Sequence, residues 1–183
     1  MLKIFKNIQD RNLYASKLYF CILKIFINML NKIIAFSLLL LTVASCTKSK
    51  DVVDYGPIDK KIIQDYLMEK GVTNAQSTSS GLYYIIQNPG EDQHPTINST
   101  LIVNYQGYLT DGTLFDSSAS HGGPSTFALN SVVAGWQEGL QLIGKGGKIV
   151  LLCPSALGYG STATGKIPAN SVILFTIELI SFQ

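Results

Sequence analysis

The sequence is poor in charge, in cysteine and in histidine. Charged residues make up 14% of its 183 positions, and the chain contains three cysteines and two histidines. Three cysteines are too few for a disulfide-stabilised scaffold of this length. A hydrophobic share of 46% and a formal net charge of +2 exclude an intrinsically disordered chain. The length fits one domain of ordinary size with appendages, and therefore one active site.

Arginine is almost absent, since Arg11 is the only one in the chain. Residues 1–45 carry six basic side chains against one acidic side chain. Residues 46–183 carry eight lysines and eleven acidic residues, a net charge of −3. The basic character therefore belongs to the first quarter of the chain. The remainder has no basic patch, which excludes nucleic-acid binding.

Residues 1–45 are predicted to be an N-terminal extension and a lipoprotein signal peptide, with translation starting at Met29. The apolar run 33–41 follows a lysine and leads through small residues to Cys46, as in a secretory signal. The stretch Val43-Ala44-Ser45-Cys46 resembles the bacterial lipobox, whose cysteine is acylated and becomes the first residue. A transmembrane anchor is the alternative, but the apolar stretch has about 12 residues where a bilayer core needs about 20.

A lipidated tether over residues 46–56 and a short helix with its linker over 57–79 are predicted next. Pro57 suits the first helical position, and Gly71 suits the position after the helix. The expected apolar face consists of Ile58, Ile62, Ile63, Tyr66 and Leu67. This face could pack on the main domain or form a dimer contact, and the marginal stability of a short helix favours packing. The small and polar stretch 74–80 is predicted to be the linker.

Residues 80–183 show the period-two pattern of β-strands. In the segment 100–109, apolar side chains alternate with others at Leu101, Val103, Tyr105 and Leu109. Asp111-Gly112 is a strong hairpin signal, and one helix is expected over 135–143. Five or six mostly antiparallel strands with one covering helix define an α+β domain.

Several catalytic and ligand-binding motifs are incomplete. The stretch 139–146 nearly matches a phosphate-binding loop, but Gly146 stands where Ser or Thr is required, so no nucleotide is expected. His94 and His121 lie apart and are predicted to be solvated loop residues, with no metal and no cofactor. Cys153 lies in an apolar strand and is expected to be buried and unreactive.

The remaining signal is a set of aromatic residues beside tight turns. The segments VNYQGYLTDGTLFDSS, VVAGWQEGL, LGYGSTATGKIPANS and LFTIEL follow one another in this order. Together they resemble the successive motifs of FKBP-type peptidyl-prolyl cis-trans isomerases, over residues 80–183. The resemblance implies a curved antiparallel sheet wrapped around one short helix, with an apolar pocket between them.

The resemblance also implies roles for individual residues. Trp136 would form the pocket floor, and Ile167 an aliphatic lip on the loop before the last strand. The hydroxyl of Tyr159 would point at the bound peptide, and Asp116 would supply the carboxylate at the rim of the pocket. The backbone N–H of Val133 would donate to the substrate carbonyl. The implied catalytic residues are Asp116, Tyr159 and Tyr105. The implied substrate-binding residues are Phe115, Phe127, Val132, Val133, Trp136, Ile167 and Phe175.

The chemistry of the residues adds one expectation of its own. Asp116 directly follows an apolar strand residue, and beside a pocket such a carboxylate can orient the hydroxyl of Tyr105 or of Tyr159. Both alternatives remain open from the sequence.

The implied function is isomerisation of Xaa-Pro bonds in unfolded or exposed polypeptides of the bacterial cell envelope, with the protein anchored by lipid on Cys46 and facing the periplasm. The alternative is a non-catalytic or chaperone-like module that binds apolar segments containing proline. Macrolides are a further class of ligand that the family implies. Ser125 and Lys166 depart from the aromatic and aliphatic residues common at these positions, and they bear on macrolide affinity more than on isomerase activity.

Overall fold

The computed structural model describes residues 53–183 and, from the preceding segment, Lys24, Asn28 and Met29. Apart from those three positions, the predicted signal peptide lies outside the described residues, as do Cys46 and the first part of the tether. Residues Val53–Gln183 form one compact unit held by contacts within it, and every helix and strand described below belongs to this unit. Within the described residues, no helix combines the length and the apolar character needed to cross a membrane.

Helix α1 spans Gly56–Glu69 and has Pro57 in its first turn, as predicted. Lys70 follows as the C-cap, and Gly71 then adopts φ +66°, a left-handed conformation that glycine accepts without steric cost. The helix packs on the outer face of the sheet through Ile63 and Leu67. The sequence left open whether α1 packs on the main domain or forms a dimer contact. The structure shows that it packs on the main domain.

The predicted apolar face of α1 is wrong in two positions. Ile58 and Ile62 are 44% and 37% exposed, whereas Asp59 is 1% exposed. The buried side of a helix is set by positions three or four residues apart, and Asp59 shares that side with Ile63 and Leu67. A carboxylate on this side was missed because hydropathy assigns acidic residues to solvent.

Seven strands form one antiparallel sheet in the order β1-β2-β6-β7-β3-β4, and β5 pairs with β3. The strands are β1 (Gln76–Ser77), β2 (Tyr83–Asn88), β3 (Thr100–Leu109), β4 (Leu114–Ser117), β5 (Ser125–Ala128), β6 (Lys148–Cys153) and β7 (Ile173–Phe182). Two of these strands share one edge of β3, since β5 pairs along residues 100–103 and β4 along 106–108. The α+β class and the antiparallel sheet are confirmed. The sheet has one strand more than the five or six expected, because β1 lies in the stretch 74–80 that was predicted to be a linker.

Helix α2 (Ala134–Gly139) lies on the inner face of the sheet and continues into a 3₁₀ turn at Leu140–Leu142. Its glycines allow close packing. A Cβ on Gly139 would lie 2.5 Å from a methyl carbon of Leu151, and a Cβ on Gly135 would collide with the sulfur of Cys153. The helix thereby sits directly against β6 and places Trp136 in the core beneath β3 and β7.

Candidate active site

A cavity of about 460 Å³ opens between α2 and the sheet. It is lined by Tyr105, Phe115, Asp116, His121, Ser125, Phe127, Ser131, Val132, Val133, Trp136, Tyr159 and Phe175. These residues come from β3, β4, β5, α2, β7 and the loops between them. The fold therefore assembles one site from segments that are up to 70 residues apart in the chain.

The floor of the cavity is a cluster of aromatic rings arranged edge to face. Trp136 is 4% exposed, and its ring centroid lies 5.2 Å from those of Tyr105 and Phe175 and 5.7 Å from that of Phe127. Such T-shaped pairs match the positive edge of one ring to the negative face of another. The Trp136 Nε1–H group is buried and has no hydrogen-bond partner within the described residues. The floor is therefore apolar, and it holds one donor that has no partner among residues 53–183.

One wall depends on a glycine in β3. Phe115 and Phe175 form a further edge-to-face pair with centroids 5.6 Å apart, and Gly107 lies beside both rings. A Cβ on Gly107 would lie 2.5 Å from two ring atoms of Phe115 and 3.0 Å from Phe175. Only glycine leaves room for this wall.

Asp116 lies at the rim and binds three donors. The Tyr105 hydroxyl donates to Oδ2 at 2.7 Å, while His121 Nε2 and the Ser117 backbone N–H each lie 2.8 Å from Oδ1. Tyr105, and not Tyr159, is thus the hydroxyl that this carboxylate orients. Burial raises the pKa of Asp116, but the hydrogen bonds from Tyr105, His121 and Ser117 outweigh burial and leave the pKa below its usual value. The group is a carboxylate at neutral pH.

The two tyrosines of the site have different partners. Tyr105 is 6% exposed, and its pKa is strongly raised by burial and by its hydrogen bond to Asp116. Tyr159 is 37% exposed, and its hydroxyl makes no hydrogen bond within the described residues. Its pKa is raised by burial and by the nearby charge of Asp116. The Tyr159 hydroxyl is therefore a neutral donor with no partner in residues 53–183.

His121 was predicted to be a solvated loop residue, and this prediction missed its contact with the site. The ring is exposed, but a short 3₁₀ helix (Ser118–His121) aims it at Asp116. The Ser117 side chain caps this turn by accepting from the Ser120 N–H, and Gly122 ends it with φ +89°. The signal available in the sequence was a histidine five positions after the carboxylate, flanked by serine and glycine.

Nine of the ten side chains named from the sequence line this cavity, and Ile167 does not. Ile167 is 4% exposed and packs into the main core, whereas the resemblance implied an aliphatic lip. Its neighbour Lys166 extends across to the Leu114 carbonyl, where the two polar atoms are 3.2 Å apart.

Besides His121, two lining residues were not assigned to the pocket from the sequence, namely Ser125 and Ser131. Within the described residues, no three His, Cys, Asp or Glu side chains come together as a group that could hold a metal.

The fold and this cavity define an α+β domain with a cleft lined by aromatic residues, and comparison with known proteins identifies its family. The family model of FKBP-type peptidyl-prolyl cis-trans isomerase matches residues 91–180. The crystal structure of FkpA from Escherichia coli is similar with a TM-score of 0.64 and 35% identity, over 85% of this chain and 71% of that chain. The peptidyl-prolyl cis-trans isomerase structure from Pseudomonas syringae pv. tomato has a TM-score of 0.60 and 30% identity, over 72% of this chain and 97% of that one. The chain belongs to the FKBP-type peptidyl-prolyl cis-trans isomerase family.

Sequence relatives show how far the likeness extends. The FKBP-type isomerase FkpA of Buchnera aphidicola subsp. Schizaphis graminum is 50% identical over 115 residues, which are 62% of this chain and 44% of the relative. FkpA of Escherichia coli K12 is 39% identical over 140 residues, which are 76% of this chain and 51% of the relative. The chain thus spans about half the length of the curated relatives it matches.

Proposed function

We propose that the chain is a peptidyl-prolyl cis-trans isomerase that acts on Xaa-Pro bonds of unfolded or exposed polypeptides. The observation that carries the proposal is the apolar cavity above Trp136, with Asp116 and Tyr159 at its edge, in a chain of the FKBP-type family. The aromatic floor suits a proline ring, which is apolar and has no N–H to satisfy.

The reaction requires no covalent intermediate. Rotation about an Xaa-Pro bond is opposed by amide resonance, with a barrier of about 18–20 kcal/mol. Water stabilises the planar, charge-separated amide more than the twisted one. Moving the bond from water into an aromatic cleft therefore lowers the cost of twisting, and donors aimed at the twisted form lower it further.

Besides the Trp136 Nε1–H group in the floor, two donors of the site are free to bind substrate. The Tyr159 hydroxyl and the Val133 backbone N–H lack acceptors in residues 53–183 and are proposed to bind substrate carbonyl oxygens. The Tyr105 hydroxyl is already bonded to Asp116, so Tyr105 and Asp116 are proposed to shape the cavity and its charge. The remaining lining residues Phe115, Phe127, Val132, Trp136 and Phe175 are proposed to contact the apolar part of the substrate.

The decisive experiment is NMR exchange spectroscopy on a peptide containing Leu-Pro, with circular dichroism to show that the protein is folded. Catalysed exchange is expected. Tyr159→Phe should lower kcat/KM about two- to tenfold through loss of one hydrogen bond. Tyr84→Phe is the matched control, because its hydroxyl bonds Gln76 at 2.8 Å and lies outside the cavity. A folded protein that binds the peptide while exchange stays at the buffer rate would refute catalysis and indicate a binding module.

The place of the protein in the cell is also a proposal. The lipobox-like stretch Val43-Ala44-Ser45-Cys46 supports acylation of Cys46 and anchoring of the domain to a membrane of the bacterial cell envelope, facing the periplasm. Macrolides are proposed as ligands of the same cavity. Ser125 lines the cavity where the family often has an aromatic residue, so a weaker hold on a bulky ligand is expected.

A further inference from the structure

The most deeply buried carboxylate of the described domain lies outside the cavity. Asp59 of α1 is 1% exposed, and burying a charge is costly unless hydrogen bonds compensate. Its Oδ2 accepts from the Ser155 backbone N–H at 2.8 Å and from the Ser155 hydroxyl at 2.6 Å. Its Oδ1 is buried with no partner in residues 53–183. The carboxylate therefore depends on one residue, and separating the two would leave a charge buried without donors.

Ser155 links this carboxylate to the active-site loop. It is 3% exposed and begins a 3₁₀ turn (Ser155–Leu157) after β6. Its carbonyl accepts from the Gly158 N–H at 3.0 Å and from the Gly160 N–H at 2.8 Å. These are the residues on either side of Tyr159. Ser155 thus bonds Asp59 through its N–H and hydroxyl, and the Tyr159 loop through its carbonyl.

The position of Tyr159 depends on this backbone arrangement. Its hydroxyl has no partner within the described residues, so no side-chain bond fixes its direction. Gly158 packs against Ile173, where a Cβ would lie 2.8 Å from a side-chain carbon, and the Gly160 carbonyl accepts from Asn170 at 2.8 Å. A shift of Ser155 would therefore move the tyrosine relative to the cavity.

We propose that Asp59 is a positioning residue for Tyr159, and that α1 contributes to the site through the chain Asp59–Ser155–Tyr159. Helix α1 lies outside residues 91–180, which match the family model. The catalytic part of this inference rests on the proposed isomerase function. The role of Asp59 is to hold a loop, without contact to the substrate.

The first test compares kcat and KM for a Leu-Pro peptide among variants of the full-length chain. Asp59→Ala should lower kcat/KM about three- to tenfold, mainly through KM, because two bonds to Ser155 are lost. Asp59→Asn keeps an acceptor oxygen and should recover most of the loss. Asp65→Ala is the matched control, since within residues 53–183 this exposed carboxylate of α1 pairs only with Lys61, and the change should leave both constants unaltered.

A second test asks whether the effect passes through the tyrosine. In a Tyr159→Ala background, adding Asp59→Ala should change kcat/KM by less than about twofold, because the group it positions is gone. An equal loss in both backgrounds would overturn the proposal, as would a loss of stability in Asp59→Ala without any change in KM.

A third test does not depend on activity. NMR of tyrosine-labelled protein identifies the Tyr159 ring signals by their disappearance in Tyr159→Phe. Asp59→Ala should shift or broaden these signals and Asp65→Ala should not, and unmoved signals would overturn the proposal. An inactive wild-type protein would refute the isomerase function alone, because the ring signals still report the position of Tyr159. Should Asp59→Ala fail to fold, Ser155→Ala takes its place, since it removes the 2.6 Å hydroxyl bond and keeps the backbone bond.

Discussion

Asp116 is the residue at which the polar contacts of the cavity meet. It holds the Tyr105 hydroxyl, the His121 ring and a backbone N–H while forming part of an apolar pocket. The sequence predicted the carboxylate and left its partner open between Tyr105 and Tyr159, and it did not predict the contact with the histidine. The direction of an exposed ring in a short turn depends on capping bonds that no periodicity reveals.

The lowered pKa of Asp116 predicts how stability depends on pH. A carboxyl whose pKa is lower in the folded state contributes stability that is fully present above its ordinary pKa of about 3.9 and is lost as the pH falls through the folded value. As the pH is lowered below about 4, the free energy of unfolding should therefore decrease less steeply in Asp116→Asn than in the wild type. Urea denaturation at a series of pH values measures this, and equal slopes would show that the hydrogen bonds do not stabilise the charged form.

Gly107 gives a second prediction at the same scale. Gly107→Ala should displace Phe115 and Phe175, costing about 1–3 kcal/mol of unfolding free energy and lowering kcat/KM. Thermal denaturation and peptide exchange measure the two effects. Adding Phe115→Leu removes the ring that the new methyl group would meet, so the double variant should lose less stability than the sum of the single losses. Strict additivity would contradict the proposed clash.

At the scale of elements, α1 shows which part of a helix can be inferred from its sequence. The presence of Pro57 in its first turn and its end before Gly71 follow from backbone chemistry that each residue carries with it. The buried face does not follow from the sequence, because the cost of burying the Asp59 carboxylate is offset by hydrogen bonds from Ser155, which lies 96 positions away. The two-residue strand β1 was missed for a different reason: its partner β2 lies only six to eight positions away, but two residues are too few to show an alternating pattern.

Two adjacent isoleucines of α1 test this packing directly. Ile63 is fully buried against the outer face of the sheet, and Ile63→Ala should cost about 2–5 kcal/mol of unfolding free energy. Ile62 is 37% exposed, and Ile62→Ala should change it by less than about 0.5 kcal/mol. Urea denaturation of the two variants gives the comparison, and similar losses would mean that α1 is seated differently.

At the scale of the whole molecule, the division of charge at Cys46 separates a basic first quarter of the chain from a mildly acidic remainder. The sheet, the helix over it and nine of the pocket residues were inferred because linked motifs are spread over residues 80–183. Ile167 lies in the core and not in the lining of the cavity, because a motif specifies residue type and order, whereas contacts across the fold determine where a side chain packs.

The lipid anchor is a prediction about the entire chain. In a bacterial host, the wild-type protein should fractionate with membranes and incorporate labelled fatty acid, and Cys46→Ser should lose both properties because the acylated thiol is absent. Cys21→Ser is the matched control, since this cysteine precedes the proposed start at Met29. Fatty-acid incorporation that persists in Cys46→Ser would contradict the proposal, and the intact mass of the precursor would show whether translation starts at Met29.

The packing of Gly135 against Cys153 has one further consequence. The thiol is free and 0% exposed, and burial strongly raises its pKa, so it is shielded from thiol reagents while α2 stays on β6. Labelling at this one cysteine, followed by mass spectrometry, would then proceed only as fast as the domain opens. The labelling rate of Cys153 would therefore measure how often the contact that places Trp136 beneath the cavity opens.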